Sequence, residues 1–177
     1  MRKTIMFAAV VLAAAIQVRA QSGYPANEIF GGYSYLSSEI GFDRDSLHGW
    51  GLGFSVNPSS RWGAVAEFSG HYGKTELAGS KFDLSTTTFL FGPRASARGK
   101  SATAFGHVLL GGAKSRFEGS SLNTRFAMAV GGGVDVNVSR RFALRAVQAD
   151  YLPIRAAGEW QHNLRLQSGL VFKFGGN

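Results

Sequence analysis

Four histidines and eleven carboxylates are the side chains of this 177-residue chain best suited to chemistry. A histidine exchanges protons near neutral pH and can activate a hydroxyl held against it. His48, His71, His107 and His162 are the candidates. On a strand, side chains two apart share a face. A nucleophile paired with His162 on its own face would therefore be a serine at position 164, which is Leu164. His71 lies near Lys74 and Glu76, a rim setting in which histidines solvate or anchor an interface. Cysteine is absent, which excludes thiol catalysis, thiolate-bound zinc and a cysteine-linked lipid anchor. There is no Gly-x-Ser-x-Gly elbow, and Gly131-Gly132-Gly133 has no following helix to make a phosphate loop. The expectation is a protein that is not an enzyme, with no catalytic residues, cofactor or metal.

The remaining charges fall on segments that alternate in polarity. In the last of these, His162 to Phe174, Leu164, Leu166, Leu170, Phe172 and Phe174 share one parity. Asn163, Arg165, Gln167 and Lys173 share the other. A strand sends successive side chains to opposite faces, so the segment has one apolar and one polar face. Seven more such segments can be drawn: Glu28 to Ser37, His48 to Val56, Trp62 to Tyr72, Asp83 to Arg94, Ala102 to Ala113, Arg125 to Val138 and Phe142 to Tyr151. The fourth has no clear phase, because Phe89, Leu90 and Phe91 are consecutive. The seventh changes phase between Arg145 and the pair Gln148 and Asp150, and a β-bulge there would turn all three to one side.

The connections alternate between short turns and stretches of about ten residues, Ser38 to Leu47, Gly73 to Phe82, Lys114 to Thr124 and Leu152 to Gln161. That rhythm, with strands long enough for a tilted crossing, predicts an all-β, eight-stranded, antiparallel up-and-down transmembrane barrel with both termini periplasmic. A soluble barrel would have to hold Trp50, Phe54, Trp62, Phe68, Phe126, Met128 and the strand-eight leucines and phenylalanines inside. Eight strands enclose too little space for that set. The small residues are better placed inside and the large ones in lipid.

Residues 1–20 have the layout of a cleaved signal peptide: Arg2 and Lys3, an apolar run from Ile5 to Ile16, and Val18-Arg19-Ala20 at the cut. Twelve apolar residues are too few to span a bilayer as a helix, which needs ~20. The mature domain is then 21–177. Cleavage lowers 19 basic residues to 16 against 11 acidic, a net charge of +5. These charges form no basic stripe interleaved with aromatics, so nucleic acid is not an expected partner. Outer-membrane lipid is the natural counter-charge, and Lys74, Lys81, Lys114 and Arg116 could meet lipopolysaccharide phosphates.

The predicted inward set includes Glu28, Glu67, His71, His107, Arg125, Asp135, Arg145, Asp150, Arg165 and Lys173. Both signs are present, which suits a lumen closed by ion pairs, with Glu67 meeting Arg145 or Arg165. The alternative is a narrow porin-like channel for ions or small solutes. A lipid-modifying enzyme is a more distant one.

Gly31-Gly32-Tyr33-Ser34-Tyr35-Leu36, Gly131-Gly132-Gly133-Val134-Asp135-Val136 and the run Asn163 to Phe172 carry a resemblance over the whole mature chain. The second and third flank Gln148-Ala149-Asp150-Tyr151. The chain resembles the small outer-membrane β-barrel family, the OmpA/OmpX-like group also described as the "porin family" or outer membrane protein beta-barrel domain. The resemblance implies a location in the outer membrane of a Gram-negative cell envelope, contact with the outer-membrane assembly machinery, and an anchoring, adhesive or channel role for a monomer. It also implies a final aromatic residue read by that machinery. Here Phe174 is followed by Gly175-Gly176-Asn177. The chain stops at the barrel, so wall tethering is not expected.

Overall fold

The structure is a computed structural model and describes residues 24–40, 43–77, 80–117, 120–121, 123–156 and 159–175. The proposed signal peptide lies outside them. Eight long strands follow in order: β1 Asn27–Ile40, β2 Asp43–Val56, β3 Trp62–Leu77, β4 Ser80–Arg98, β5 Ala102–Phe117, β6 Arg125–Asn137, β7 Phe142–Tyr151 and β8 Asn163–Phe174. Each pairs antiparallel with its neighbours in sequence, and β8 pairs back onto β1 from Asn27↔Phe174 to Ser38↔Asn163. The sheet is therefore a closed up-and-down barrel. No helix among the described residues is long and apolar enough to cross a membrane.

The exterior is apolar. Tyr33, Leu52, Trp62, Phe68, Phe91, Val108, Phe126, Phe142, Leu164 and Leu170 all stand exposed on it. The opposite parity is buried in the lumen, as the alternation requires.

Three details depart from the sequence reading. Most strands are longer than expected, because the segments between them continue as paired ribbon. β3 and β4 stay in register to Leu77↔Ser80, and β1 and β2 to Ile40↔Asp43. Three short ribbon pieces, Ser120–Ser121, Ile154–Ala156 and Glu159–Gln161, extend the same end. Second, β4 has a definite phase: Phe89 and Phe91 face outward while Leu90 is fully buried in the lumen. Third, β4 runs to Arg98, past the Arg94 at which the fourth segment was expected to end.

The expected bulge in β7 is present. Val134 pairs with Val147 and Asp135 with Arg145, so Ala146 is skipped. Both Ala146 and Val147 face outward, and Arg145, Gln148 and Asp150 all turn inward.

Candidate functional site: the charged lumen

Two linked ionic groups cross the barrel. In the half nearer the short turns, Arg94 donates to Glu28 at 2.9 Å and to Asp135 at 3.3 Å. Arg98 donates to the other oxygen of Glu28 at 2.7 Å. Arg145 donates to Asp135 through Nε at 2.8 Å and Nη2 at 3.2 Å. The Phe105 ring meets both guanidinium groups, 4.0 Å from Arg94 and 4.5 Å from Arg145. A guanidinium stacked on an aromatic face keeps its charge in a dry site at lower cost.

The second group sits deeper. Arg165 Nη2 donates to Glu67 at 2.5 Å and to Asp150 at 2.7 Å. His107 Nε2 lies 2.8 Å from Asp150 Oδ1. Gln148 joins the groups: its amide nitrogen donates to Glu67 and Asp150, and its oxygen accepts from Arg145 Nη1. Arg165, Gln148 and Asp150 are each 0% exposed. A buried charge is tolerable only when paired and hydrogen-bonded, and every carboxylate here has such a partner.

Hydroxyl and apolar groups close the rest. Ser69 and Thr88 share a hydrogen bond of 2.6 Å, and Ser34 and His71 one of 2.7 Å. Towards the hairpin end the lumen becomes apolar, with Leu36, Leu47, Leu84, Leu152 and Ile154 in one buried cluster. Polarity thus changes along the axis from ionic to apolar.

Glu28, Glu67, His107, Asp135, Arg145, Asp150 and Arg165 meet in the network. Lys173 is buried at the turn end and donates to Asn137. Arg125 is half-buried at the far end of β6, next to Ala113, and takes no part in the network. Its parity is as expected, but its height along the strand separates it from the acids. Glu67 meets Arg165 and not Arg145, whose acid is Asp135. His71 faces the lumen as its place in the inward set predicts, bonded to Ser34, and does not stand at the rim. Arg94 and Arg98 had no assigned face in the sequence. The inward parity of Thr86 and Thr88 was the signal that could have placed them.

The other two histidines face outward near the hairpin end. His48 Nδ1 bonds the hydroxyl of Tyr33, and His162 Nδ1 that of Tyr151. Donor atoms of Glu67, His107 and Asp150 lie within 4.8 Å of one another, a spacing that could hold a metal ion. The Arg165 guanidinium already bonds both carboxylates, so a cation there would have to oppose or displace it.

No family model and no curated protein matches the sequence. Solved structures do match. The attachment invasion locus protein Ail of Yersinia pestis aligns at a TM-score of 0.58 with 19% identity, covering 84% of this chain and 99% of that one. Neisserial surface protein A aligns at 0.69 with 12% identity, covering 86% and 98%. The outer membrane protein OprG of Pseudomonas aeruginosa aligns at 0.60 with 14% identity, again covering 86% and 98%. The likeness is one of fold, shared over nearly the whole of each of those barrels.

Proposed function

We propose that the chain is a non-enzymatic outer-membrane barrel with a structural or surface-interaction role, exported on residues 1–20 and inserted as a monomer with its short turns in the periplasm. The observation that carries this reading is the filled lumen. Ion pairs span the middle, and buried leucines close the hairpin end. Apolar side chains cover the outside, where backbone groups could be satisfied in lipid only by a closed sheet. The paired hairpins rise beyond the length a tilted crossing needs and offer the surface through which such a protein would act. Likeness to proteins named for attachment and for the cell surface is in keeping with that use. Lys114 and Arg116 are exposed among the hairpins, where they could contact lipopolysaccharide phosphates. The assembly machinery would be a further partner during insertion.

A narrow channel is the second reading. It is favoured by a cavity of about 1530 Å³ that opens at the turn end. Planar-bilayer conductance of the native protein and of Arg165→Ala separates the two. Silence from folded native protein is the expected result. Steady native channels whose conductance changes in Arg165→Ala would establish a pore with a charged lumen and overturn the closed reading.

A further inference from the structure

The charges divide unevenly between the two ends. In the lumen, Glu28, Glu67, Asp135 and Asp150 are matched by Arg94, Arg98, Arg145 and Arg165. The four long connections, 38–47, 73–82, 114–124 and 152–161, hold six acidic and six basic residues, and Asp83 and Arg125 at their edges cancel each other. What is left after residue 20 is Arg61, Lys100, Arg140, Arg141 and Lys173, all at the turn end. The whole net charge of the mature chain is concentrated on one rim.

That rim is built, not merely charged. Asn137 donates to the carbonyls of Gly99 and Lys100, both at 3.2 Å, and accepts from Lys173 Nζ at 2.5 Å. The Lys173 amide donates to the Arg141 carbonyl at 2.7 Å, and Ser139 Oγ accepts from the Arg141 and Phe142 amides. Two turns and the last strand are thereby tied together. Lys173 is only 7% exposed although an ammonium has three donors to satisfy. Lys100, Arg140, Arg141 and Lys173 line one cavity of about 1530 Å³, and among the described residues no acid lines it. Immediately beside it, Phe142, Phe172 and Phe174 form an outward aromatic face with ring centroids 5.2 and 5.8 Å apart.

We propose that the turn end carries a binding site for an anionic phospholipid, its phosphate held by Lys100, Arg140, Arg141 and Lys173 and its acyl chains lying on Phe142, Phe172 and Phe174. A soluble anion would use the basic groups alone. A lipid uses both features, because the aromatic face begins where the basic rim ends. Each basic side chain near an anionic headgroup adds to the attraction, and arginine suits phosphate through its paired donors. The site rests on the outer-membrane reading above, with the turn end at the inner leaflet.

The test uses the full chain, expressed with its leader and extracted from the outer-membrane fraction of a bacterial host. Native mass spectrometry in micelles then counts retained dimyristoyl-phosphatidylglycerol against dimyristoyl-phosphatidylcholine. The expected result is a preference for phosphatidylglycerol on the order of tenfold. It should be lost in Lys100→Gln/Arg140→Gln/Arg141→Gln and kept in Lys114→Gln/Arg116→Gln/Arg125→Gln, which changes the other end. Equal retention of the two lipids by folded native protein, or an unchanged preference in the first variant, would overturn the site alone. Complete displacement of phosphatidylglycerol by millimolar inorganic phosphate would make the ligand a soluble anion and overturn the lipid assignment. Absence from the outer-membrane fraction would overturn the location as well.

Discussion

Arg165 on β8 and Glu67 on β3 meet at 2.5 Å across the barrel, although two strands separate them around its wall. The same guanidinium holds Asp150 of β7 at 2.7 Å. One side chain thus ties the β7–β8 hairpin, in which Arg165 and Asp150 are register partners, to β3 through the lumen. The Arg165–Glu67 contact joins strands that the wall keeps apart, so it reports on closure rather than on any single hairpin.

Replacing Arg165 with alanine should be strongly destabilising. Two buried carboxylates would lose their shared cation, and breaking a buried pair from one side costs roughly 3–5 kcal/mol. Urea unfolding of the protein in vesicles, native against Arg165→Ala, measures this. Arg125→Ala, outside the network, should change stability little. Equal midpoints for native and Arg165→Ala would show that the pair does not stabilise the lumen.

Closure depends equally on what is missing at the seam. Gly32 of β1 and Gly169 of β8 are register partners. A Cβ on Gly32 would lie 2.1 Å from the Ser168 carbonyl oxygen and 2.7 Å from the Gly169 Cα. These are backbone atoms, which cannot swing aside. Gly32→Ala should therefore cost about 1–3 kcal/mol, the range of a typical overpacked site. It should also lower the yield of folded barrel on an unboiled gel. Gly31→Ala is the control, since its Cβ would meet only a Leu52 side-chain carbon at 3.5 Å.

The alternation of β8, β6 and β3 made strand number, closure and the apolar exterior legible in the sequence, because lipid and lumen impose opposite demands on neighbouring residues. The same rule failed where the lumen is itself apolar. Leu90 is buried between two outward phenylalanines, so the polarity of β4 gives no period of two and Arg94 lost its assignment with it. The leucine cluster at the hairpin end was hidden for the same reason. Partner choice was not legible either. Arg145 and Arg165 both face inward, and only the stagger of the strands places one beside Asp135 and the other beside Glu67. The ribbon beyond Tyr72 was read as loop because its residues lack the alternation that lipid enforces.

The bulge at Ala146 supplies a third prediction. A one-residue slip turns every following side chain to the other face. Deleting Ala146 would put either Arg145 or the pair Gln148 and Asp150 into the hydrocarbon region. No folded, heat-modifiable barrel should form, whereas Ala146→Ser, which keeps the count, should fold as the native chain does. A folded deletion variant with native lumen contacts would show that the bulge is dispensable.

The exterior gives the sharpest division between a membrane barrel and a soluble one. Leu52 is 51% exposed and lies beside Phe68, which is stacked on Phe89 with ring centroids 6.2 Å apart. In lipid, arginine on this face near the midplane should cost roughly 2–4 kcal/mol, falling to about 0–1 near an interface. In water the same change would remove an exposed apolar patch and improve solubility. Leu52→Arg should therefore lower the unfolding midpoint in vesicles well below that of Thr87→Arg, which sits nearer the hairpin end. Equal midpoints, with Leu52→Arg more soluble without lipid, would place the face in water and overturn the membrane reading at its root.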